Sequence, residues 1–411
     1  MAEIKPFQGW FFDETKIADM NKVVAPPHDI ISEIEQEGLY QKSPYNVVRL
    51  ILPKGDNYSE AAKALETMFS DKVLLQDEKP AYYIYEQDFY HRGQMLRRFG
   101  FLALVRAEPL GKNVLPHEMV FQDRVDDRLN LLHALRADLS PVFGLYKDTN
   151  SEVREALWCG RSSVPLFEFT DTGEVTHRIW PVYDHGSMAA MFQNRKIIIA
   201  DGHHRYTAAA KFAESAENEE EKYVLMYLVG QDDPALIILP THRLLSMPEF
   251  NLDDFLKKAS NYFNIEEVKD VYELESVLLE ADRHTFGLHT KDKSYVMELK
   301  DKAIVEKLEG TSHKKHLDVS VLHEFVIGKI LGVDIHKLEY TKKPDDVHRL
   351  IEEETHDVAF LLRQPEIEDV LKVVEDGDVM PHKSTYFYPK PLAGMIIRMM
   401  DSPKKETEKK E

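Results

Sequence analysis

The stretch "IIIADGHHRYTAAAKF", residues 197 to 212, decides how the chain is interpreted. An apolar run stops at Asp201-Gly202, two histidines and an arginine follow, and an alanine-rich pattern typical of a helix comes next. We predict that a strand ends at Ala200 and that a helix begins near Tyr206. The glycine between them lets the backbone turn tightly. The stretch therefore predicts a strand-to-helix junction that carries polar side chains.

Such a junction is suited to binding an anion, because the first N–H groups of the helix carry the positive end of its dipole. Arg205 can hold a phosphate or carboxylate with two donors. His203 and His204 can donate to the same oxygens or exchange a proton near neutral pH. One alternative is a polar turn capped by Asp201, and another is a metal site, since histidine and aspartate ligate zinc. Adjacent side chains point in different directions, so we predict no protein-held metal here.

The composition of the chain limits the classes of protein to which it can belong. The chain has 411 residues, enough for two domains, and its net charge of −20 argues against sequence-independent binding of nucleic acid. No apolar run approaches the ~20 residues of a membrane helix, and the N-terminus lacks the layout of a signal peptide. The one cysteine, Cys159, excludes an internal disulfide. We expect a cytoplasmic protein with neither a nucleic-acid nor a membrane partner, and its oligomeric state stays open.

The pattern along the chain predicts a mixed α+β fold. "PAYYIYEQDFY" and "RRFGFLALVRAE" alternate like paired strands, "YSEAAKALETMF" has helical spacing, and "YNVVRLILP" indicates a short strand or extended segment beside a turn. We predict a phosphate-binding domain over residues 1–248 and a second α+β domain over 249–400 that contributes a C-terminal motif to the site. The charged segment 401–411 is expected to be disordered.

Further polar clusters accompany the junction. "LPHEMV" places Glu118 beside an imidazole, where it could serve as a general base, and Asp29 follows the Pro26-Pro27 pair. "DDRLNLL" puts Asp127 at a predicted helix start, where it could act as a cap. Each cluster could equally be a surface loop, a cap or a local ion pair. The side chains predicted to bind substrate are His117, Arg128, His242 and Arg243.

The C-terminal "PHKSTYFYPK" offers two cations and two hydroxyls within eight residues, namely Lys383, Ser384, Thr385 and Lys390. Phosphate is bound by linings of this kind. Because an acidic chain has little reason to gather bare cations, we predict that this segment folds back onto the junction. The alternative is a basic exposed loop.

"ADGHHRYTAAAKF" resembles the phosphate-binding motif of the ParB/sulfiredoxin superfamily, whose members include ParB nucleotidases, sulfiredoxins and free L-serine kinases. The resemblance implies that the first domain is ParB/sulfiredoxin-like and that this turn holds nucleotide phosphates. His203 stands where sulfiredoxins carry their cysteine, so reduction of a sulfinic acid is disfavoured.

A second resemblance spans nearly the whole chain. "VVAPPHDIIS", "SPYNVVRLIL", "LSPVFGLY", "IADGHHRY", "LPTHRLL" and "KSTYFYPKPLAG", in this order, are similar to a large prokaryotic family catalogued as a domain of unknown function, DUF1015. It implies no settled reaction. The chain departs from the family pattern at Val120, where threonine is usual, and at His28, where tyrosine is commoner.

Together these features predict a phosphotransferase, a kinase for a hydroxyl metabolite. The resemblance implies L-serine, giving O-phosphoserine, with ATP, ADP or pyrophosphate as donor and Mg²⁺ bridging its phosphates. The alternatives are a non-catalytic nucleotide-binding regulator and a nucleotidase or phosphatase. The predicted catalytic residues are Glu118, Asp29 and His204. The predicted phosphate-binding residues are Asp201, Gly202, His203, His204, Arg205, Lys383, Ser384, Thr385 and Lys390.

Overall fold

The computed structural model of the protein describes residues 2–183 and 186–401. The chain divides into two compact units. The first comprises Met1–Pro116, Val120–Leu236 and Pro389–Glu411, and the second comprises His117–Met119 and Ile237–Tyr388. Both contain helices and strands, which confirms the predicted mixed α+β class. The tail predicted to be disordered lies, apart from Asp401, outside the described residues.

The α-helices are α1 (Glu33–Lys42), α2 (Val48–Ile51), α3 (Tyr58–Ser70), α4 (Gln122–Leu135), α5 (Glu152–Gly160), α6 (Ser187–Phe192), α7 (His203–Glu214), α8 (Leu252–Ala259), α9 (Val271–Glu280), α10 (Ser312–Lys315), α11 (Asp318–Ser320), α12 (Pro344–Glu352) and α13 (Ile367–Glu375). A π-helix, Val321–Leu331, continues α11. Short 3₁₀ turns include His28–Ile30, which follows the Pro26-Pro27 pair.

The strands are β1 (Ile4–Lys5), β2 (Trp10–Phe12), β3 (Leu74–Gln76), β4 (Tyr82–His91), β5 (Gln94–Arg106), β6 (Val114–Leu115), β7 (Ala137–Asp138), β8 (Val142–Tyr146), β9 (Phe167–Thr170), β10 (Thr176–Val182), β11 (Ile197–Asp201), β12 (Tyr223–Gly230), β13 (Ile237–Leu239), β14 (His242–Leu245), β15 (Phe263–Val268), β16 (Thr285–His289), β17 (Ser294–Leu299), β18 (Glu339–Thr341), β19 (Val358–Leu362), β20 (Tyr386–Tyr388) and β21 (Arg398–Met399).

The first unit is built on a nine-stranded sheet in the order β6-β11-β8-β12-β5-β4-β10-β9, with β1 also pairing with β5. The long hairpin of β4 and β5 is the one that the alternating pattern predicts. Side chains such as Phe101, Met226 and Ile199 form a fully buried core on the sheet. Strand β11 lies next to the edge strand β6 and pairs antiparallel with β8. It is followed directly in the chain by α7.

The second unit contains a six-stranded sheet in the order β15-β17-β16-β19-β14-β18 and a two-stranded sheet of β13 and β20. Leu244, Leu274 and Leu361 belong to its core. Because β13 pairs with β20, and β14 with β18 and β19, the main segment of the second unit starts at Ile237, whereas the sequence predicts a boundary at 249. The segment from Pro389 returns to the first unit, where β21 pairs with β7.

The predicted strand in "YNVVRLILP" is wrong, because Val48–Ile51 form the short helix α2. Its β-branched residues favour a strand locally. The fully buried Asn46 overrides this preference, since its side-chain oxygen accepts from the N–H of Val48 at 2.9 Å. Its amide also donates to the carbonyls of Lys22 and Val24. These bonds hold the first turn of α2 against the preceding loop.

Candidate functional site

The junction between β11 and α7 is tighter than the sequence predicts. The strand runs through Asp201 and the helix begins at His203, because Gly202 makes the whole turn at φ +90°. The first intrahelical bond runs from the N–H of Tyr206 to the carbonyl of Gly202 at 2.9 Å. The N-cap residue is Gly202, which has no side chain, so Asp201 is not the cap of the alternative interpretation. The positive end of the dipole of α7 lies at this turn.

Arg205 lies under this turn. Its guanidinium donates to the carbonyl and hydroxyl oxygens of Ser140 at 3.1 and 2.9 Å, to the carbonyl of Pro141, and to Asp201 at 2.6 Å. Its Nε is buried and has no hydrogen-bond partner among the described residues. A Cβ at Gly202 would come within 2.8 Å of this guanidinium. Arg205 therefore fixes the turn, and its Nε is a donor that makes no hydrogen bond to the described residues.

Lys390 reaches the same turn from the C-terminal segment of the first unit. Its ammonium forms an ion pair with Asp201 and lies 3.6 Å from Oδ2 of Asp29. The side chain is only 7 % exposed. The backbone behind it is held by Arg98, which donates to the carbonyl of Pro389, and by Gln87, which donates to that of Lys390 at 3.3 Å. One cation thus joins the predicted base Asp29 to the junction.

The carboxyl of Asp29 is held in its charged form. Partial loss of contact with water, the largest influence, raises the pKa of this group, but Lys390, His28 and Arg205 together outweigh it. The pKa of Asp29 therefore lies below its ordinary value. Burial, in turn, lowers the pKa of Arg205, and Asp29 opposes this shift.

His28 sits next to Asp29 and is neutral at physiological pH. Burial lowers the pKa of His28 to about 3, and the positive charge of Arg128 acts in the same direction. The charges of Arg205 and His204 lower the pKa of His28 by smaller amounts, whereas Asp29 raises it. The imidazole can therefore accept or donate one hydrogen bond without adding a charge.

We expect the free energy of unfolding to fall as the pH is lowered from 7 towards 4. His28 stays neutral in the folded protein down to about pH 3, whereas the same side chain takes up a proton near 6.5 in the unfolded chain. The stabilisation that comes from keeping His28 neutral in the folded protein is therefore fully present above about pH 6.5. It is lost progressively as the pH falls towards 3. Urea unfolding of His28→Gln should show a shallower pH dependence, with the same substitution at the exposed His336 as matched control. Equal slopes in both variants would contradict this prediction.

The two histidines of the junction face different surroundings. His203 is 4 % exposed, whereas His204 is partly exposed. Nε2 of His204 accepts from the backbone N–H of Phe121 at 3.1 Å, and its ring stacks on that phenyl group. Since this nitrogen acts as an acceptor, a neutral His204 carries its proton on Nδ1.

Arg128 and Asp127 lie inside α4, which begins at Gln122, so the predicted cap at Asp127 is wrong. The buried guanidinium of Arg128 donates to Oδ2 of Asp127 at 2.7 Å and to the carbonyl of Ile51 at 2.6 Å. Asp127 also accepts from the hydroxyl of Tyr58 at 2.6 Å. Like Arg205 and Lys390, Arg128 is paired with a carboxylate.

Other predicted site residues belong to the second unit. There His117 is 1 % exposed and its Nε2 lies 2.7 Å from the hydroxyl of Thr385. Ser384 is buried and donates to the carbonyl of Pro381. Glu118 follows His117 and is partly exposed. The buried His117 and the partly exposed Thr385 are thus brought together.

His242 and Arg243 lie on β14 of the second unit. Nδ1 of His242 accepts from the N–H of Leu362 at 3.3 Å, and burial lowers its pKa to about 3. The fully buried Arg243 donates to Nε2 of His323 at 3.0 Å and to the carbonyl of Lys383 at 3.1 Å. Both side chains are therefore engaged with the protein. Their predicted role in substrate binding stays a prediction.

A divalent cation would have to be held partly by a ligand. Within residues 2–183 and 186–401, no three or more histidine, cysteine, aspartate or glutamate side chains form a group that could hold a metal ion. Mg²⁺ commonly needs only one or two carboxylates when phosphates supply further oxygens. Asp29 and Asp201, which share Lys390, form such a pair.

Sequence reasoning missed two contributors to the site. Ser140 offers both of its oxygens to Arg205, and His28 lines a cavity with Arg128 and Arg205. The Pro26-Pro27 pair, which directs the chain just before His28, was the available signal for that residue. Nothing in the local sequence around Ser140 indicated its partner.

The sequence matches the family described as "Protein of unknown function (DUF1015)" over residues 4–320. The chain therefore belongs to this family, as the ordered series of motifs predicts. No curated protein matches the sequence. Among the described residues, no helix has both the length and the apolar character that crossing a membrane requires.

Several solved structures overlap with the chain. Free serine kinase in complex with AMP is 14 % identical with a TM-score of 0.34, covering 68 % of this chain and 92 % of that one. A conserved hypothetical protein from Pyrococcus furiosus is 16 % identical with a TM-score of 0.34, covering 70 % and 91 %. A C-terminally truncated SbnI from Staphylococcus aureus is 14 % identical with a TM-score of 0.38, covering 71 % and 85 %.

Proposed function

We propose that the protein is a phosphotransferase that transfers a phosphoryl group to the hydroxyl of a small metabolite. The observation that carries this proposal is the constellation at the β11–α7 junction. The N-terminus of α7 follows Gly202, and Lys390 links Asp201, at this turn, to the carboxylate of Asp29. Phosphoryl transfer needs an anion site, positive charge near the transferred group and a proton acceptor in one place. We assign these three roles to the start of α7, Lys390 and Asp29.

The charges of this site are balanced before any ligand binds. Arg205 pairs with Asp201, Arg128 with Asp127, and Lys390 with two carboxylates. A donor phosphate at the N-terminus of α7 would draw the ammonium of Lys390 away from Asp29. The carboxylate would then lose the neighbour that most lowers its pKa and become a better base.

In the proposed reaction, the acceptor hydroxyl oxygen forms a bond to the terminal phosphorus of the donor while the bond from that phosphorus to the bridging oxygen breaks. The hydroxyl proton passes to Asp29. The N–H groups at the start of α7, with Lys390 and the Nε of Arg205, neutralise the leaving phosphate. Asp201 would hold Mg²⁺ together with the donor phosphates, and the ion would supply further charge neutralisation.

The predicted donors are ATP, ADP and pyrophosphate, and L-serine is the first acceptor to assay. The test is a phosphorus NMR screen of the purified protein with each donor, Mg²⁺ and a set of hydroxyl metabolites. Transfer appears as a new phosphate-ester resonance, and its appearance supports the proposal. Inorganic phosphate alone would indicate a phosphatase or nucleotidase. Shifted donor resonances without turnover would indicate a nucleotide-binding regulator. Either of the last two results overturns the proposal.

A further inference from the structure

Arg243 is a buried charge of the second unit that pairs with no carboxylate. Its guanidinium forms no ion pair with an aspartate or glutamate in the part of the chain that the structure describes, residues 2–183 and 186–401. It donates instead to Nε2 of His323 at 3.0 Å and to the carbonyls of Thr241 and Lys383. A buried charge without a counter-charge is unfavourable. The arrangement therefore indicates that a bound anion supplies the negative charge.

The titratable groups around Arg243 add positive charge or none. Burial lowers the pKa of Arg243 to about 10, so the guanidinium stays charged near pH 7, and only the phenol of Tyr340 opposes this shift. Burial also lowers the pKa of His323, and the charges of Arg243 and His382 act in the same direction. The carboxylates of the adjoining segments are engaged with other basic side chains, Glu339 with His356, Asp346 with Arg349 and Asp378 with Lys314.

Two lysines bring further positive charge to this place from different segments. Lys383 is partly exposed, its carbonyl accepts from Arg243 at 3.1 Å, and its ammonium forms no ion pair with any described residue. Lys342 directly follows β18, the strand in which Tyr340 lies opposite Arg243. Its ammonium lies 3.6 Å from the ring centre of Tyr386. The cations of three separate segments therefore meet in one part of a protein whose net charge is −20.

The backbone is unusual at the same place. Lys383 has a φ of +55°, in the left-handed region that is unfavourable for most residues with a side chain. His323 is presented by the π-helix Val321–Leu331. Both kinds of irregularity are frequent at functional sites. The fold thus keeps two uncommon conformations where Arg243 and Lys383 meet.

A phosphate group matches these charges better than a carboxylate does. A phosphate monoester carries a charge of about −1.5 to −2 near pH 7, whereas a carboxylate carries a single charge. Arg243, Lys342 and Lys383 present three positive charges, and the exposed ring of His382 lies beside Tyr340, with the ring centres 6.1 Å apart. Arg243 acts as a fixed charge below the surface. Solvent reaches the donors of the two lysines and of His382.

We propose that the second unit contains a phosphate-binding site formed by Lys342, His382 and Lys383, with the buried Arg243 behind them. The ligand is a phosphate dianion, either free or as the ester of a small metabolite. The site shares no residue with the β11–α7 junction, because its members belong to the second unit and those of the junction to the first. The inference does not depend on the proposed phosphotransfer, since phosphate binding is measured without donor or acceptor.

The experiment titrates inorganic phosphate, glycerol 3-phosphate and acetate into protein with ¹³C-labelled histidine rings, at fixed pH and ionic strength. The resonance of His382, assigned with a His382→Gln variant, should shift saturably with both phosphates and should not saturate with acetate over the same concentrations. Tighter binding of the ester than of inorganic phosphate would support a phosphorylated metabolite as the ligand, and the reverse order would support the free ion. The absence of a saturable shift with either phosphate, or an equal response to acetate, would overturn the inference.

A matched pair of variants tests the role of Lys383. Asparagine tolerates the left-handed region, so Lys383→Asn removes the charge and keeps the backbone that binds Arg243. Lys72 is the control, because it has a φ of +54° and its carbonyl accepts from another cation, Lys16, at 2.9 Å. Lys383→Asn should weaken phosphate binding about tenfold or more, the effect of losing a hydrogen bond to a charged group, and Lys72→Asn should not change it. Equal affinities in the two variants would contradict the site. The wild-type titration decides by itself if Lys383→Asn does not fold.

Arg205→Ala separates this site from the junction of the first unit. The saturable shift of His382 should persist in that variant. Its loss in Arg205→Ala, together with its retention in Lys383→Asn, would show that phosphate binds at the junction alone and would overturn the inference. If no phosphoryl transfer is found with any acceptor while the His382 shift is retained, the phosphotransferase proposal fails and the phosphate site of the second unit stands.

Discussion

Replacing Asp29 with asparagine is expected to lower the turnover of phosphoryl transfer by about 10²–10⁴-fold, the usual cost of losing a general base. Binding of the donor should persist or tighten, because the substitution removes a negative charge that lies 3.6 Å from Lys390 and next to the phosphate position. The measurement is turnover by phosphorus NMR, with ADP binding by calorimetry on the same preparation.

Glu118→Gln is the comparison, because the sequence predicts either carboxylate as the base. The ion pairs of Lys390 join Asp29 to the junction, whereas Glu118 belongs to the second unit. We therefore expect Glu118→Gln to retain most of the turnover. If Glu118→Gln is inactive and Asp29→Asn is active, the base is Glu118 and the role given to the 3₁₀ turn at His28–Ile30 is wrong.

The parts of the fold that the sequence predicts well are those set by neighbouring residues. The turn at Gly202 follows from an apolar run, one glycine and a helical pattern, all within sixteen residues. The hairpin of β4 and β5 follows from alternation alone. The end of β11 and the start of α7 were both misplaced, because a left-handed glycine completes the turn in one residue.

Errors arose where distant partners decide the conformation. The helix α2 depends on Asn46, whose amide bonds to a loop more than twenty residues earlier. A local pattern of valines and isoleucines carries no information on that contact.

In the candidate site, too, some contacts can be anticipated from the sequence and others cannot. That Lys390 lies against Asp201 could be anticipated only from the argument that cations in an acidic chain need an anion. By contrast, the sequence could not reveal that Arg243 is fully buried and bonded to His323, since exposed and buried arginines have the same local signature.

Replacing Arg205 with alanine should weaken the binding of ADP and pyrophosphate about tenfold or more, since a hydrogen bond to a charged group contributes roughly 1.5–3 kcal/mol. The change also removes the bonds to Asp201 and Ser140, so some loss of stability is expected as well.

Arg195→Ala separates the loss of donor binding from the loss of stability. Arg195 precedes β11, at the end opposite to Gly202, and likewise holds a backbone carbonyl, that of Lys147 at 2.9 Å, and a carboxylate, that of Asp148 at 3.4 Å. Removing it should cost comparable stability in urea unfolding and leave calorimetric ADP binding unchanged. The guanidinium of Arg205 differs because it lies against the turn and its buried Nε has no hydrogen-bond partner within residues 2–183 and 186–401. If both alanine variants weaken ADP binding equally, Arg205 acts only as a structural support, and the phosphates are held by α7 and Lys390 alone.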